Sequence, residues 1–298
     1  MLSFQKLYED TQEQTQDLDT TTLVLIKRWI NQGAKKFGAK LSREWRTSTR
    51  LFSTVASQQY YDLPADCIRI KTLVITIGGI PYPLEQIDDE DVWNNLNMRE
   101  STSDIPEYYY VRGSSEVGIF PTPANSNTNA ASIRYERRMR DMSAADYATG
   151  TITLTNDSTT VTGAGGATFT IAMEGRWIRI DDPSGDGMWY KIEDFTNSTT
   201  LVLDRKYQGD TLAGASYVIA EIPDIPEEFH ENLVDYACFR YYRRRKDRGM
   251  AREFKKDFDD ALVECQADYS SSSSSQYLRV KKVPTGGYKH IKRDLTVT

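Results

Sequence analysis

The densest chemistry in the chain is the stretch CFRYYRRRKDRG, residues 238–249, with six basic residues in nine positions behind a tyrosine pair. Guanidinium groups at that density hold carboxylates or phosphates through paired, fork-like hydrogen bonds. Set on a helix at about 100° per residue, Arg240 and Arg244 lie on the same side as Phe229, Leu233, Tyr236 and Ala237, with Arg243 and Arg248 flanking. The arginines therefore prolong an apolar stripe instead of opposing it. Three environments satisfy such a row: solvent at a basic rim, carboxylates on a neighbouring chain or element, or phosphates. Within the chain, Asp88, Asp89, Glu90 and Asp91 are the candidate carboxylates. A formal net charge of −6 supplies no overall basic field for nucleic acid.

Other reactive side chains do not converge. His230 and Cys238 are a conceivable imidazole–thiol couple, but eight residues of helix separate them by about 12 Å of rise. Cys67, Cys238 and Cys265 share no Cys-x-x-Cys spacing and have only His230 and His290 for company, so reduced, buried thiols are expected and neither a zinc site nor a disulfide framework. Acid pairs such as Asp88-Asp89 and Asp181-Asp182 suit helix caps and turns. GAGGA at 163–167 lies in a Thr-rich β stretch with no helix after it. No phosphate loop, dinucleotide fingerprint, nucleophile elbow or His-Glu-x-x-His pair is present. Catalytic residues, cofactors and metals are therefore not expected.

The elements that must carry the arginines follow from hydrophobic period. Leu23, Ile26, Ile30, Ala34 and Phe37 recur at helical spacing over 20–41, behind threonines that can cap. Residues 4–19 suit a short helix or an ordered arm. After Trp45 the period becomes two, with ITIGGIPYPL as a hairpin, an acid-capped short helix at 88–100, two strands around Gly113-Ser114-Ser115 and a third over 131–142. Residues 149–223 shift to Thr and Gly with short alternating strands, predicting a small all-β barrel or sandwich of about six strands. Helix returns at Ile225, with Gly249 as the candidate hinge between two stripes. The serines after Tyr269 form a flexible spacer, and the segment from Gln276 carries about +5 with too little apolar content for a core. The fold class is thus α+β: a helical core with antiparallel hairpins over 1–148 and 224–270, an inserted β domain over 149–223, and an extended arm over 271–298. Apolar runs reach only LVLI and LVITI, far short of a membrane span. Eighteen tyrosines favour half-wet contact surfaces between proteins.

The succession LVLIKRWINQGAKKF (23–37), QYYDLPADCIRIKTLVI (59–75), PEYYYVRGSSEVGIFPTPA (106–124) and IPEEFHENLVDYACFRYYRRRKDRGMAREFKKDFDDAL (225–262) resembles the head-to-tail connector, or adaptor, proteins of tailed bacteriophages. The β stretch resembles small modules of phage structural proteins. The resemblance excludes the first twenty residues and the tail, and the β insert is a departure from compact adaptors. It implies a structural virion protein with no catalytic residues, assembled as a homo-oligomeric ring, commonly dodecameric, in the neck between capsid and tail. Its partners would be the portal, a tail or nozzle protein, and DNA passing through the lumen without sequence-specific contact; it would assemble in the host cytoplasm. The expected interface residues are Arg240, Tyr241, Tyr242, Arg243, Arg244 and Arg248, with Tyr277, Leu278, Tyr288 and Ile291 on the arm. Two rivals remain: a nucleic-acid-binding module using the Arg240–Arg248 helix and the basic arm, and a tail-associated carbohydrate binder using Trp177 and Trp189.

Overall fold

A computed structural model describes residues 1–41, 45–98, 102–103 and 105–269. Ser3 accepts from the Lys6 amide at 3.1 Å and so caps helix α1 (Phe4–Thr15); α2 (Thr20–Lys40) follows on its predicted span. Ile26, Ile30, Ala34 and Phe37 are buried along α2, as the spacing requires. They meet a helical hairpin near the far end of the sequence. The centroid of the Phe37 ring lies 5.5 Å from that of Phe229 and 5.2 Å from that of Phe258, and those of Tyr236 and Phe258 are 4.7 Å apart.

Between the helices run β1 (Thr47–Thr54), β2 (Tyr60–Asp62), β3 (Cys67–Ile77), β4 (Ile80–Pro83), β5 (Glu85–Ile87), α3 (Glu90–Asn97), β6 (Tyr108–Arg112), β7 (Glu116–Phe120) and β8 (Asn127–Arg137). They build two four-stranded sheets, β1-β8-β3-β4 and β2-β7-β6-β5. Leu73, Ile75, Ile133 and Tyr135 of the first share one core with Tyr61, Tyr109, Val117 and Ile119 of the second. Gly78 and Gly79, at φ +57° and +83°, make the predicted two-residue hairpin between β3 and β4. Purely antiparallel pairing does not hold, however. β5 and β6 are parallel, because α3 carries the chain over as a crossover. Trp93 of α3 covers the far side of the second sheet, its ring centroid 5.4 Å from that of Tyr110. Gly118 makes room there: a Cβ would come within 2.6 Å of the Trp93 ring.

Strands β9 (Thr151–Leu154), β10 (Thr160–Ala164), β11 (Trp177–Ile180), β12 (Trp189–Asn197), β13 (Thr200–Leu203), β14 (Leu212–Ala215) and β15 (Tyr217–Ala220) form one seven-stranded sheet where about six strands are predicted. Its edge strands β14 and β15 are consecutive in the chain, with only Ser216 between them, so the sheet has to curl on itself. Ile152, Leu154, Ile178, Ile192, Leu201 and Ile219 fill the concave side.

The segments that enter and leave this sheet are fastened together. The buried Glu221 carboxylate accepts from the Ser143 and Ala144 amides and pairs with Arg140, while Arg137 pairs with Asp224 at 2.6 Å. The start of α1 is tied to the same place, with the Phe4 amide donating to the Glu221 carbonyl at 2.8 Å and Ser3 Oγ donating to Asp146 at 2.7 Å.

The chain then makes a short 3₁₀ turn (Glu227–Phe229) before α4 (Asn232–Arg244), so α-helix begins later than Ile225. α5 (Arg248–Tyr269) returns along it. The break falls at Arg245–Asp247 and not at Gly249. Lys246 takes the left-handed conformation at φ +65°, and the Asp247 carboxylate accepts from the amides of Gly249 and Met250. An aspartate cap starts the second helix, leaving Gly249 inside its first turn.

Candidate interaction surface

The arginines of α4 face an open groove of roughly 650 Å³ whose other wall is the N-terminal half of α2. Leu25 and Trp29 form its apolar side, and Arg28, Arg240, Arg243 and Arg244 surround it. Arg240 is half-buried, while Arg28, Arg243 and Arg244 are exposed. The stripe continues as its helical phase predicts: Leu233, Tyr236 and Ala237 are buried, and Arg240 and Arg244 take over where the core ends.

None of these four guanidinium groups has an ion pair among the described residues. Arg240 Nη1 lies 3.5 Å from the Tyr236 hydroxyl, and the Arg243 guanidinium sits 6.0 Å above the Phe239 ring. Asp88–Asp91 do not supply the partner: Asp89 caps α3, accepting from the Asp91 amide at 2.8 Å. The expectation that Asp88–Asp91 pair with this row is thereby removed. Four like charges around a partly apolar groove repel one another unless solvent or an anionic partner neutralises them.

The neighbouring basic and aromatic residues do other work. Arg248 begins α5, so it does not flank the stripe on α4. Arg245 pairs with Asp17 at 2.9 Å, and the Tyr241 hydroxyl donates to the same carboxylate at 3.0 Å. The Asp19 amide first, then Tyr241 and Arg245, hold the Asp17 carboxyl below the ordinary carboxylate range. Tyr241, one of the expected interface residues, is therefore a buried tie to the loop after α1 in the single chain. Tyr242 stacks on Phe254 with ring planes 5° apart and also joins the helices to each other. Tyr277, Leu278, Tyr288 and Ile291 lie outside the described residues.

Arg28 is the member of the groove that the sequence does not flag. It belongs to a single Lys27-Arg28 pair on a different helix, and only the antiparallel packing of α2 on α4 brings it to Arg240. A Lys-Arg pair beside Trp29 on an amphipathic helix was the available signal.

His230 and Cys238 do not form a couple. The Leu2 amide donates to His230 Nδ1 at 3.1 Å and the Ile225 carbonyl lies 3.1 Å from Nε2, which assigns the proton to Nε2. Burial lowers the imidazole pKa and keeps the ring neutral. The Cys238 thiol donates to Gln14 Oε1 at 3.2 Å, and burial pushes it up to about 12, so it is an unreactive core group. Cys67 and Cys265 are likewise free and buried.

Compared with protein-family models, residues 3–164 match the one described as SU10 adaptor protein. No curated protein matches the chain significantly. The family match begins at the cap of α1, which the resemblance stated above leaves out, and ends in β10, before the α4–α5 hairpin that it includes.

Proposed function

The chain belongs to the SU10 adaptor protein family, and from that premise we propose that it forms the ring between portal and tail, sealing the joint and letting DNA pass through its lumen. Phage structural adaptor is the role the family gives it. The family match across α1 to β10 is the observation that carries this. In this proposal residues 1–148 with 224–270 form the adaptor body, 149–223 is a separate β unit borne on it, and 271–298 is an arm that reaches a neighbouring component. Arg240, Arg243 and Arg244 belong to a subunit contact, since a groove of guanidinium groups with no ion pair among the described residues suits a protein that spends its surface on other subunits.

Among the described residues no helix is long and apolar enough to cross a membrane. The carbohydrate-binding rival rests on Trp177 and Trp189, which stand in different surroundings. The Arg179 guanidinium covers the Trp189 ring at 5.0 Å, and Trp177 lines the cleft between the curled sheet and the body, beside Arg137 and Asp224.

Mass measurement and negative-stain imaging, on the protein alone and mixed with its portal, test the proposal. Rings that attach to the portal are expected. Monomers that persist and attach to neither portal nor tail overturn it, and DNA binding with a steep salt dependence in their place transfers the arginine groove to phosphate recognition.

A further inference from the structure

The helix α5 carries a second charged row, opposite in sign to the first. Glu253, Asp257, Asp260, Glu264 and Asp268 recur at spacings of four, three, four and four, and all five are exposed. At about 100° per residue these positions share one flank of the helix, beside the buried stripe of Phe258, Ala261 and Cys265. The last four line a groove of roughly 410 Å³ that also meets Glu228 of the 3₁₀ turn and Asn232 at the start of α4. None of the five carboxylates has an ion pair among the described residues, although Lys255 and Asp259 on the same helix do pair.

Like charges three and four residues apart destabilise a helix. The crowding reaches inward as well. The Asp235 carboxyl is pushed above its ordinary range, first by burial and then by the neighbouring charges of Asp257 and Glu231. An acidic row of this length is a burden on the isolated subunit and an asset only against a cationic surface.

We propose that the acidic row on α5 of one copy docks into the arginine groove of the next, giving the ring its subunit register. This rests on the ring reading above and names the contact that makes it. Neither feature has an ion pair among the described residues, and they are opposite in charge and similar in number, five carboxylates against four guanidinium groups. Within one subunit they form separate grooves: the two share no lining residue, and along α4 Asn232 stands eight residues, about 12 Å of rise, from Arg240. Each copy therefore offers one surface and accepts the other, the head-to-tail arrangement that closes into a ring. Leu25 and Trp29 supply an apolar patch beside the charges, where exclusion of water strengthens the guanidinium–carboxylate forks.

The test uses the full chain and exposed positions, so that folding is spared. Arg243→Glu/Arg244→Glu and, separately, Asp260→Lys/Glu264→Lys are each expected to raise the concentration needed for assembly at least about tenfold in sedimentation, with the parent's helical circular dichroism retained. The chain carrying all four changes is expected to assemble again, and an equimolar mixture of the two double variants to form mixed rings. Rings from both double variants at parental concentrations overturn this contact while leaving the ring itself standing. So does failure of both the four-fold variant and the mixture to recover. If the double variants assemble normally and removal of 271–298 abolishes assembly, the basic terminus of the chain, and not the arginine groove, is the ligand of the acidic row. A parent chain that never assembles, alone or on the portal, overturns the ring and the contact together.

Discussion

The curled sheet and the helical bundle treat charge in opposite ways. On the sheet, charged side chains settle with near neighbours: Arg179 with Asp181 at 3.0 Å, Lys206 with Asp157 at 2.9 Å, Arg205 with Asp204 at 3.5 Å. Its interior is largely aliphatic and its edges are drawn together by the bend at Ser216. The bundle of α1, α2, α4 and α5 has an interior held by Phe37, Phe229, Tyr236 and Phe258, and on its outside, beside local pairs such as Arg245 with Asp17 and Lys255 with Asp259, it carries an arginine groove and an acidic row that are each of one sign. Neighbouring opposite charges offset each other in the monomer; segregated charges cost the monomer and gain only on contact. In the proposed ring the helices are therefore the part of the molecule that meets its partners.

The sharpest way to break that contrast is to damage each core and ask whether assembly follows. Phe258→Ala removes a ring that touches both Phe37 and Tyr236, and unfolding in urea is expected to show a loss of about 3–5 kcal/mol together with loss of assembly. Leu201→Ala, at a fully buried position of the sheet, is expected to cost about 2–5 kcal/mol yet leave rings at the parental concentration. Equal damage to assembly from both would end the distinction.

A smaller effect comes from acid. His230 is buried neutral and its folded pKa lies below the usual 6.5, chiefly through burial, with the Glu227 charge opposing. The unfolded chain therefore binds the proton more readily. Stability from this group is complete above about pH 6.5 and is lost as pH falls from there through the lower folded value. Asp146 and Asp235, raised by burial, run the other way as they take up protons. The expected result is a melting temperature that falls between pH 7.5 and 5.5 in the parent and falls less in His230→Gln. Equal slopes would show that the bundle does not depend on a neutral imidazole.

The smallest expected difference concerns single ion pairs. Asp17→Ala deprives the Asp19 amide, Tyr241 and Arg245 of their common acceptor and should cost on the order of 1 kcal/mol, read from thermal or urea unfolding. Lys206→Ala breaks an exposed pair on the sheet and should leave the same curves unchanged. A larger loss from Lys206→Ala than from Asp17→Ala would reverse the contrast between the two regions.

Much of this molecule is legible one segment at a time. The three- and four-residue spacing of Ile26, Ile30, Ala34 and Phe37 determines the buried face of α2, Gly78-Gly79 determines a hairpin, and Asp89 determines where α3 begins. The phase that puts Arg240 and Arg244 in line with Leu233 and Tyr236 is legible too. Each depends on interactions spanning a few residues, for which period and turn chemistry suffice. Tertiary structure alone decided the rest. It set β8 between β1 and β3, made β5 and β6 parallel, and curled the last sheet through a bend at Ser216. It also moved the helix break from Gly249 to Asp247, turned Tyr241 inward to Asp17, and brought Arg28 to Arg240. Strand pairing and charge neutralisation are settled between groups far apart in sequence. A row of arginines therefore announces itself in the chain, while its lack of a carboxylate partner among the described residues is apparent only in the tertiary structure.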